Sequence, residues 1–258
     1  DDEYNLWYND FHIRQILKLP GFVAVTRYKL SRVQTEWYPP MSQVPEWPYG
    51  RHSYLAIYEI DRTADPAGVF ANLQSTESLR QSVEPSADPV EWGEQWFYEA
   101  YAGREYPFGL GQPSVPVSNE RPLPIWLVPT TPISDEIENE YHKWYSFQGV
   151  LRNEGFESVS RYKLSGVQGR IDSRAPEVTG SWPFNHHTFL AVWEVSDVLT
   201  AYTSRRRPRD IPAAPGRTPG PRYPWMAVWP SLHHADEHIF YEPITRRIVS
   251  PWLELRES

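Results

Sequence analysis

The order of apolar and polar positions predicts a chain in which helices and strands alternate. Apolar residues recur at helical spacing before Pro20-Gly21, and period-two alternation follows them. The predicted elements are helices over 2–19, 64–83, 135–153 and 196–204 and strands over 22–33, 53–60, 94–104 and 124–129. Alternation puts Phe22, Ala24, Thr26, Tyr28 and Leu30 on one face of the first strand and Val23, Val25, Arg27 and Lys29 on the other.

One segment of this pattern occurs twice. GFVAVTRYKLSRVQ at 21–34 and GFESVSRYKLSGVQ at 155–168 are identical at ten of fourteen positions. YLAIYE at 54–59 is repeated as FLAVWE at 189–194, and WFYEA at 96–100 as IFYEP at 239–243. An internal repeat of this kind indicates a duplicated unit. We expect repeat 1 over 1–118 and repeat 2 over 119–258, the latter with a Pro/Arg-rich insert at 205–224.

The predicted elements define the fold class as α+β. With the strand at 124–129 placed first, the complete unit reads β-α-β-β-α-β, which is the ferredoxin-like order. Repeat 1 has no counterpart of that strand in the given sequence. A central strand that is missing leaves backbone groups unpaired, so we expect the chain to have been cut or numbered from a point after it. An incomplete first sheet is the alternative.

Composition narrows the class of protein further. The 258 residues carry a net charge of -8, which argues against a nucleic-acid partner, and contain no cysteine, which excludes disulfides and thiolate chemistry. No run approaches the ~18 apolar residues of a membrane span. We expect a cytoplasmic protein without a membrane or nucleic-acid partner. Aromatics make up 15% of the chain, with twelve tryptophans, enough to fill two cores and line a pocket for a flat ligand.

Two segments carry a family resemblance, WYNDFHIRQILKLPGFVAVTRYKL from Trp7 and YLAIYEID from Tyr54. They resemble the EthD-like branch of the dimeric α/β-barrel superfamily. The resemblance implies that two ferredoxin-like antiparallel sheets pack into one barrel, here within a single chain. It also implies a small-molecule enzyme or accessory protein, since relatives include cofactor-independent oxygenases, cyclases, decarboxylases, haem proteins and members without known activity. A homodimer stays possible.

His12 is the first candidate catalytic residue. The resemblance places a histidine of this helix at the cleft between helix and sheet, and histidine transfers protons near neutral pH. A histidine that only hydrogen-bonds within its helix is the equally weighted alternative. Between its Trp144-Tyr145 pair and Gly155, repeat 2 has no histidine, and Gln148 lies there instead. If His12 acts, repeat 1 holds the working site.

Other candidates lie on or beside the strands. His52 and His187 open equivalent strands, where each either orients a substrate or caps the strand end. Arg27 and Arg161 are charged residues within apolar strands, and a buried charge needs a partner. We expect Glu59 and Glu194 to pair with them; capture of a substrate carboxylate by Arg27 is the alternative.

A metal site is the less favoured interpretation of HHADEH at 233–238. His234 and His238 are four residues apart, a spacing that suits a helix, whereas the repeat places His238 at the start of a strand. The sequence contains no GxGxxG, P-loop or GxSxG motif. We therefore expect neither a metal nor another cofactor.

These observations predict a cofactor-independent enzyme that acts on a small aromatic acid or phenol by proton transfer. The resemblance favours decarboxylation, a lyase reaction, over isomerisation or ring closure. The alternatives are a non-catalytic binding or accessory protein and a haem- or metal-dependent oxygenase. The expected catalytic residues are His12, His52 and Tyr28, and the expected substrate-binding residues are Trp7, Tyr8, Arg27, Tyr58, Trp96 and His187.

Overall fold

The structure is a computed structural model, and it describes residues 2–33, 53–80, 96–106, 121–130, 138, 153–168, 188–206 and 239–251. Statements below refer to these residues. The helical elements are α1 (Asp2–Trp7), a π-helical turn (Tyr8–His12), α2 (Ile13–Ile16), α3 (Pro66–Arg80) and α4 (Val198–Arg206). The strands are β1 (Phe22–Leu30), β2 (Tyr54–Ile60), β3 (Tyr98–Glu105), β4 (Ile125–Thr130), β5 (Phe156–Leu164), β6 (Phe189–Val195), β7 (Ile239–Pro243) and β8 (Ile248–Val249).

The strands form one antiparallel sheet with the order β2-β1-β7-β4-β6-β5-β3, and β8 pairs with β1. The mixed α+β class is therefore as predicted. β1 pairs with β7 and β5 pairs with β3, so the two halves of the chain are joined through the sheet itself. In the described residues, β4 pairs with both β6 and β7, whereas no strand takes the corresponding place beside β2 and β3.

Three apolar clusters fill the interior. One packs α2 and α3 against β1 and is centred on Ile13, Val25 and Val69. A second packs α4 against β5 and β6 around Trp193 and Tyr202. The third covers the other face of the sheet and contains Tyr28, Ile125, Leu127, Ile239 and Tyr241.

Side-chain contacts between the halves come in matched pairs. Ser31 Oγ donates to Glu242 Oε1, and Ser165 Oγ donates to Glu99 Oε1 at 2.5 Å. Ser31 directly follows β1 and bonds to β7, and Ser165 directly follows β5 and bonds to β3. Because both contacts use the positions that the sequence repeat aligns, the two halves hold each other in the same way.

The predicted pairing of Arg27 with Glu59 and of Arg161 with Glu194 is wrong. Glu59 accepts two hydrogen bonds from Arg247, at 2.8 and 2.7 Å, and Glu194 pairs with Arg104. The reason is that alternation places the arginines and the glutamates on opposite faces of the sheet. Tyr28, Leu55 and Ile57 share the face of Glu59, whereas Arg27 lies on the helix side.

Several element boundaries also differ from the predictions. β1 ends at Leu30 instead of residue 33, and β8 was not predicted. A register shift between Phe22 and Ala24 puts Phe22 in the helix-side cluster with Val25, although strict alternation separates them. Most of the predicted helix over 135–153 lies outside the described residues. Most of the insert at 205–224 also lies outside them, and α4 continues to Arg206.

Candidate functional site

The arginine of β1 is buried against the first helix. Arg27 is 1% exposed and donates hydrogen bonds to Asn9 Oδ1 at 2.6 Å and to Asn5 Oδ1 at 2.8 Å. The two asparagines are four residues apart, so both amides lie on the helix face that meets β1. Both acceptors are neutral, so they satisfy donors of the guanidinium without cancelling its charge.

Tyrosine rings complete the surroundings of this charge. Arg27 Cζ lies 4.2 Å from the ring centroid of Tyr8 and 5.6 Å from those of Tyr4 and Tyr54. Aromatic ring faces attract a cation, and more strongly where water is displaced. Asn5 Nδ2 also donates to Tyr54 Oη at 3.3 Å. The result is a polar, aromatic-walled site between the first helix and the sheet.

His12 lies directly beside this site. Its ring centroid is 4.6 Å from that of Tyr8 and 5.2 Å from that of Trp7, on which it stacks. The side chain is 6% exposed. The indole Nε1 of Trp7 is buried without a hydrogen-bond acceptor in the described part of the chain. The imidazole ring of His12 and the indole ring of Trp7 therefore lie side by side.

The π-helical turn explains how these side chains converge. The N–H of Ile13 bonds to the carbonyl of Tyr8, five residues back, so the turn contains one residue more than an α-helical turn. Such turns are rare and occur frequently at functional sites. The turn contains Tyr8, Asn9 and His12, three of the residues that surround the arginine or contact its neighbours.

A second tyrosine of β2 extends the site. The hydroxyls of Tyr8 and Tyr58 are 3.2 Å apart and share a hydrogen bond. Burial raises the pKa of the Tyr4 phenol, Tyr8 adds to the increase, and the charge of Arg27 opposes it. Tyr4 therefore stays a neutral hydrogen-bonding group at physiological pH. We call the whole assembly the Arg27 cluster: Tyr4, Asn5, Trp7, Tyr8, Asn9, His12, Arg27, Tyr54 and Tyr58.

The second half of the chain differs at the equivalent positions. Phe189 and Trp193 stand where the first half has Tyr54 and Tyr58, and both are buried in an apolar cluster. Arg161 stands where the first half has Arg27. The hydroxyls of Tyr54 and Tyr58 therefore have no counterpart at Phe189 and Trp193.

Five of the nine predicted site residues come together in the Arg27 cluster, namely Trp7, Tyr8, His12, Arg27 and Tyr58. Tyr28 does not, because it lies on the opposite face of β1, in the cluster with Ile125 and Tyr241. Trp96 precedes β3, 6.2 Å from the ring of Tyr98, and β3 pairs with β5. His52 and His187 lie outside the described residues.

Sequence reasoning missed Tyr4, Asn5, Asn9 and Tyr54 as site residues. The signal that could have found the asparagines is their four-residue spacing on a helix that precedes a strand with a buried arginine. Tyr54 begins the repeated segment YLAIYE, and the repeat alone does not indicate a contact with Arg27. Its contact with Arg27 depends on the register of β1 with β2, in which Lys29 faces Tyr54 and Arg27 faces Ala56.

A metal site finds no support in the described part of the chain, where no three His, Cys, Asp or Glu side chains cluster. The His233–His238 segment lies outside that part. None of the described helices is long and apolar enough to cross a membrane.

Comparison with known proteins adds no family. No family model, no curated protein and no solved structure matches this chain.

Proposed function

We propose that the Arg27 cluster is the active site of a cofactor-independent enzyme that acts on a small aromatic acid or phenol. Arg27 holds the negative charge of the substrate, His12 moves the proton, and Trp7, Tyr8 and Tyr58 contact the ring. One observation carries this proposal. A buried guanidinium is surrounded by neutral amides and tyrosine rings, and a histidine stacks on the same tyrosine.

Charge is the physical basis of the proposal. A buried ion without a counter-ion costs several kcal/mol in real proteins, and neutral hydrogen bonds and cation–π contacts offset only part of that cost. An anionic ligand supplies the missing countercharge and gains a charge-assisted hydrogen bond. The binding of an anion therefore relieves an electrostatic penalty that the folded protein otherwise carries.

Decarboxylation is the reaction that we favour. His12 in its protonated form donates a proton to the ring carbon that carries the carboxylate. The bond between this ring carbon and the carboxylate carbon then breaks. CO₂ leaves, the electron pair restores the aromatic ring, and solvent returns a proton to His12. The reaction needs an anion anchor and a proton donor, which the Arg27 cluster contains. Isomerisation and ring closure need the same groups.

We also propose that the fold consists of two ferredoxin-like repeats, over 1–118 and 119–258, that form one barrel in the manner of EthD-like proteins. The strand order β7-β4-β6-β5 within the second half supports this, because it is the order of a ferredoxin-like sheet. The contacts of Ser31 and Ser165 also support two repeats, because they join equivalent positions of the two halves.

Product analysis tests the enzymatic proposal. The purified protein is incubated with hydroxybenzoic, phthalic and cinnamic acids and with simple phenols, in the presence of a chelator. Products are identified by liquid chromatography and mass spectrometry. We expect one substrate group to be converted, and we expect His12→Gln to reduce the rate at least about 100-fold, the usual contribution of a general acid or base.

The control is Arg161→Gln, which removes the equivalent arginine of the second half and should leave the rate within a few-fold of the wild type. Conversion that His12→Gln does not slow would contradict the assignment of His12. Conversion that the chelator abolishes would instead favour a metal-dependent oxygenase.

A ligand-binding protein without catalysis is the second candidate, and the 6% exposure of His12 favours it. A histidine this deeply buried can act as a packing and hydrogen-bonding residue. Binding of panel acids without any product, unchanged between wild type and His12→Gln, would support this candidate over the enzyme.

A further inference from the structure

Among the described residues, a carboxylate lies beside Arg161 but not beside Arg27. Arg161 Nη2 lies 3.3 Å from Glu105 Oε1, so the arginine of the second half has a carboxylate beside it. Glu105 is the last residue of β3 and lies opposite Val159 in the pairing of β3 with β5. The carboxylate thus reaches the arginine from a strand that belongs to the other half of the chain.

The corresponding place beside Arg27 is apolar. Val25 is equivalent to Val159, and its partner in the pairing of β1 with β8 is Ile248. Ile248 therefore stands where the other arginine has Glu105. Ile248 packs against the apolar cluster beneath the first helix and offers no counter-ion.

Arg27 consequently keeps both charge and donors for a ligand. A guanidinium has five N–H donors, and two of them serve Asn5 and Asn9. No carboxylate contacts Arg27 in the described part of the chain, although the side chain is 99% buried. The second half shows that this fold can place a carboxylate against an arginine at this position.

We propose that Arg27 binds the carboxylate of a small aromatic acid, which supplies the negative charge that Glu105 supplies to Arg161. This inference rests on the proposed function and narrows its substrate class from acids and phenols to carboxylic acids. The ring of the ligand then lies among Tyr4, Tyr8 and Tyr54, whose rings already surround the guanidinium.

The anchored carboxylate is a group that the substrate keeps. An ion pair with Arg27 holds negative charge on the carboxylate, whereas loss of CO₂ moves that charge into the ring. Stabilising the starting anion more than the transition state would slow the reaction. The reacting bond therefore lies elsewhere in the ligand, and a decarboxylation would act on a second carboxyl group.

Calorimetric titration with benzoate and with its neutral isostere benzamide tests the inference. We expect the wild type to bind benzoate at least about tenfold more tightly than benzamide, the scale of one charge-assisted hydrogen bond. Ile248→Glu supplies the missing carboxylate and should weaken benzoate binding at least about tenfold. Ile248→Gln has nearly the same size without the charge and should retain binding within about threefold.

Equal affinity for benzoate and benzamide, binding of neither, or unweakened binding of benzoate by Ile248→Glu would each overturn the inference. If Ile248→Glu does not fold, Arg27→Gln replaces it, with the same expected loss. The experiments distinguish failure of the carboxylate site from failure of the enzymatic proposal. Turnover of neutral phenols that Ile248→Glu leaves unchanged would refute the carboxylate site alone, whereas benzoate binding without turnover of any panel acid would refute only the enzymatic proposal.

Discussion

Arg27 shows how a buried charge can be held by neutral groups. Its two hydrogen bonds to asparagine oxygens and its contact with the ring of Tyr8 replace the ion pair that a buried arginine ordinarily needs. These groups fix the guanidinium in place while leaving its charge uncancelled. At the scale of the single residue, this arrangement differs from the ion pair that Arg161 makes with Glu105.

The hydrogen bond that Arg27 donates to Asn9 can be tested by substitution. Asn9→Ala removes the acceptor of the 2.6 Å bond and leaves a buried charged donor unsatisfied. We expect the free energy of unfolding to fall by about 1–3 kcal/mol, measured by urea denaturation. Asn9→Asp keeps an acceptor and should lose less. A change of less than about 0.5 kcal/mol for Asn9→Ala, the range of ordinary surface substitutions, would contradict the role of this bond.

Tyr28 gives a prediction about pH. Burial raises the pKa of the Tyr28 phenol well above its ordinary value of about 10, and the carboxylate of Glu59 adds to the increase. Above pH ~10 the unfolded chain loses this proton while the folded chain keeps it, so stability falls as pH rises further. Below pH ~10 the contribution is fully present.

Tyr28→Phe should therefore flatten the decline of the thermal midpoint between pH ~9.5 and ~11.5, because the ionising group is gone. Tyr162, whose pKa burial also raises, offers the matched variant Tyr162→Phe with the same expected effect. A decline as steep in Tyr28→Phe as in the wild type would show that other groups cause it.

Five of the predicted site residues lie together because they come from one helical segment and the two neighbouring strands β1 and β2. The predicted ion pair between Arg27 and Glu59 was wrong. Both Arg27 and Glu59 lie on neighbouring strands, and only the register decides whether their side chains share a face. The register places Arg27 opposite Ala56 and Glu59 opposite Ala24, and the alternation of apolar residues along one strand does not reveal this pairing.

At the scale of elements, two glycines directly precede equivalent strands, Gly21 before β1 and Gly155 before β5. Gly21 and Gly155 have φ of 93° and 89°, a region that side chains disfavour. A Cβ on Gly21 would lie 2.5 Å from Val69 Cγ2, and one on Gly155 would lie 2.8 Å from Ala201 N. In the first case a side chain blocks the space, and in the second the backbone of α4 does.

Substitution of each glycine by alanine should therefore destabilise the protein, by at least about 1 kcal/mol from the backbone conformation alone. We expect Gly155→Ala to cost more, because the backbone of α4 cannot rotate aside as a side chain can. Adding Val69→Ala to Gly21→Ala should recover part of its cost in a double-mutant cycle. Additive effects of these two changes would contradict the contact with Val69.

The sequence predicted most elements and their order because each apolar face repeats with the period of its element. It missed the π-helical turn over Tyr8–His12, since a single extra residue leaves the apolar pattern nearly unchanged. It also missed β8, because two residues are too few for a period to appear. The first of these omissions matters most, as the turn positions Asn9 and His12.

At the scale of the whole molecule, the halves share one sheet. β1 pairs with β7 and β5 pairs with β3, so neither half can unfold without breaking strand pairs of the other. We expect one cooperative thermal transition in which the calorimetric and van't Hoff enthalpies agree. Two separate transitions would contradict a shared sheet.

The matched serines test whether the two junctions are equally important. Ser31→Ala and Ser165→Ala each remove the donor to a glutamate of the other half. We expect similar losses of about 1.5–3 kcal/mol in the free energy of unfolding, the scale of a hydrogen bond to a charged group. A loss confined to one variant would show that the junctions are not equivalent.

We propose that Arg27 and His12 contact the same ligand. Nuclear magnetic resonance of the histidine side chains tests this shared contact most directly. Ring signals of ¹⁵N-histidine-labelled protein are assigned with His12→Gln and followed during titration with benzoate. We predict that the His12 signals shift with the same midpoint as binding, that Arg27→Gln abolishes the shift, and that Arg161→Gln preserves it. Benzoate binding that leaves the His12 signals unchanged would contradict a ligand shared by Arg27 and His12. An equal loss of the His12 shift in Arg27→Gln and Arg161→Gln would contradict it as well.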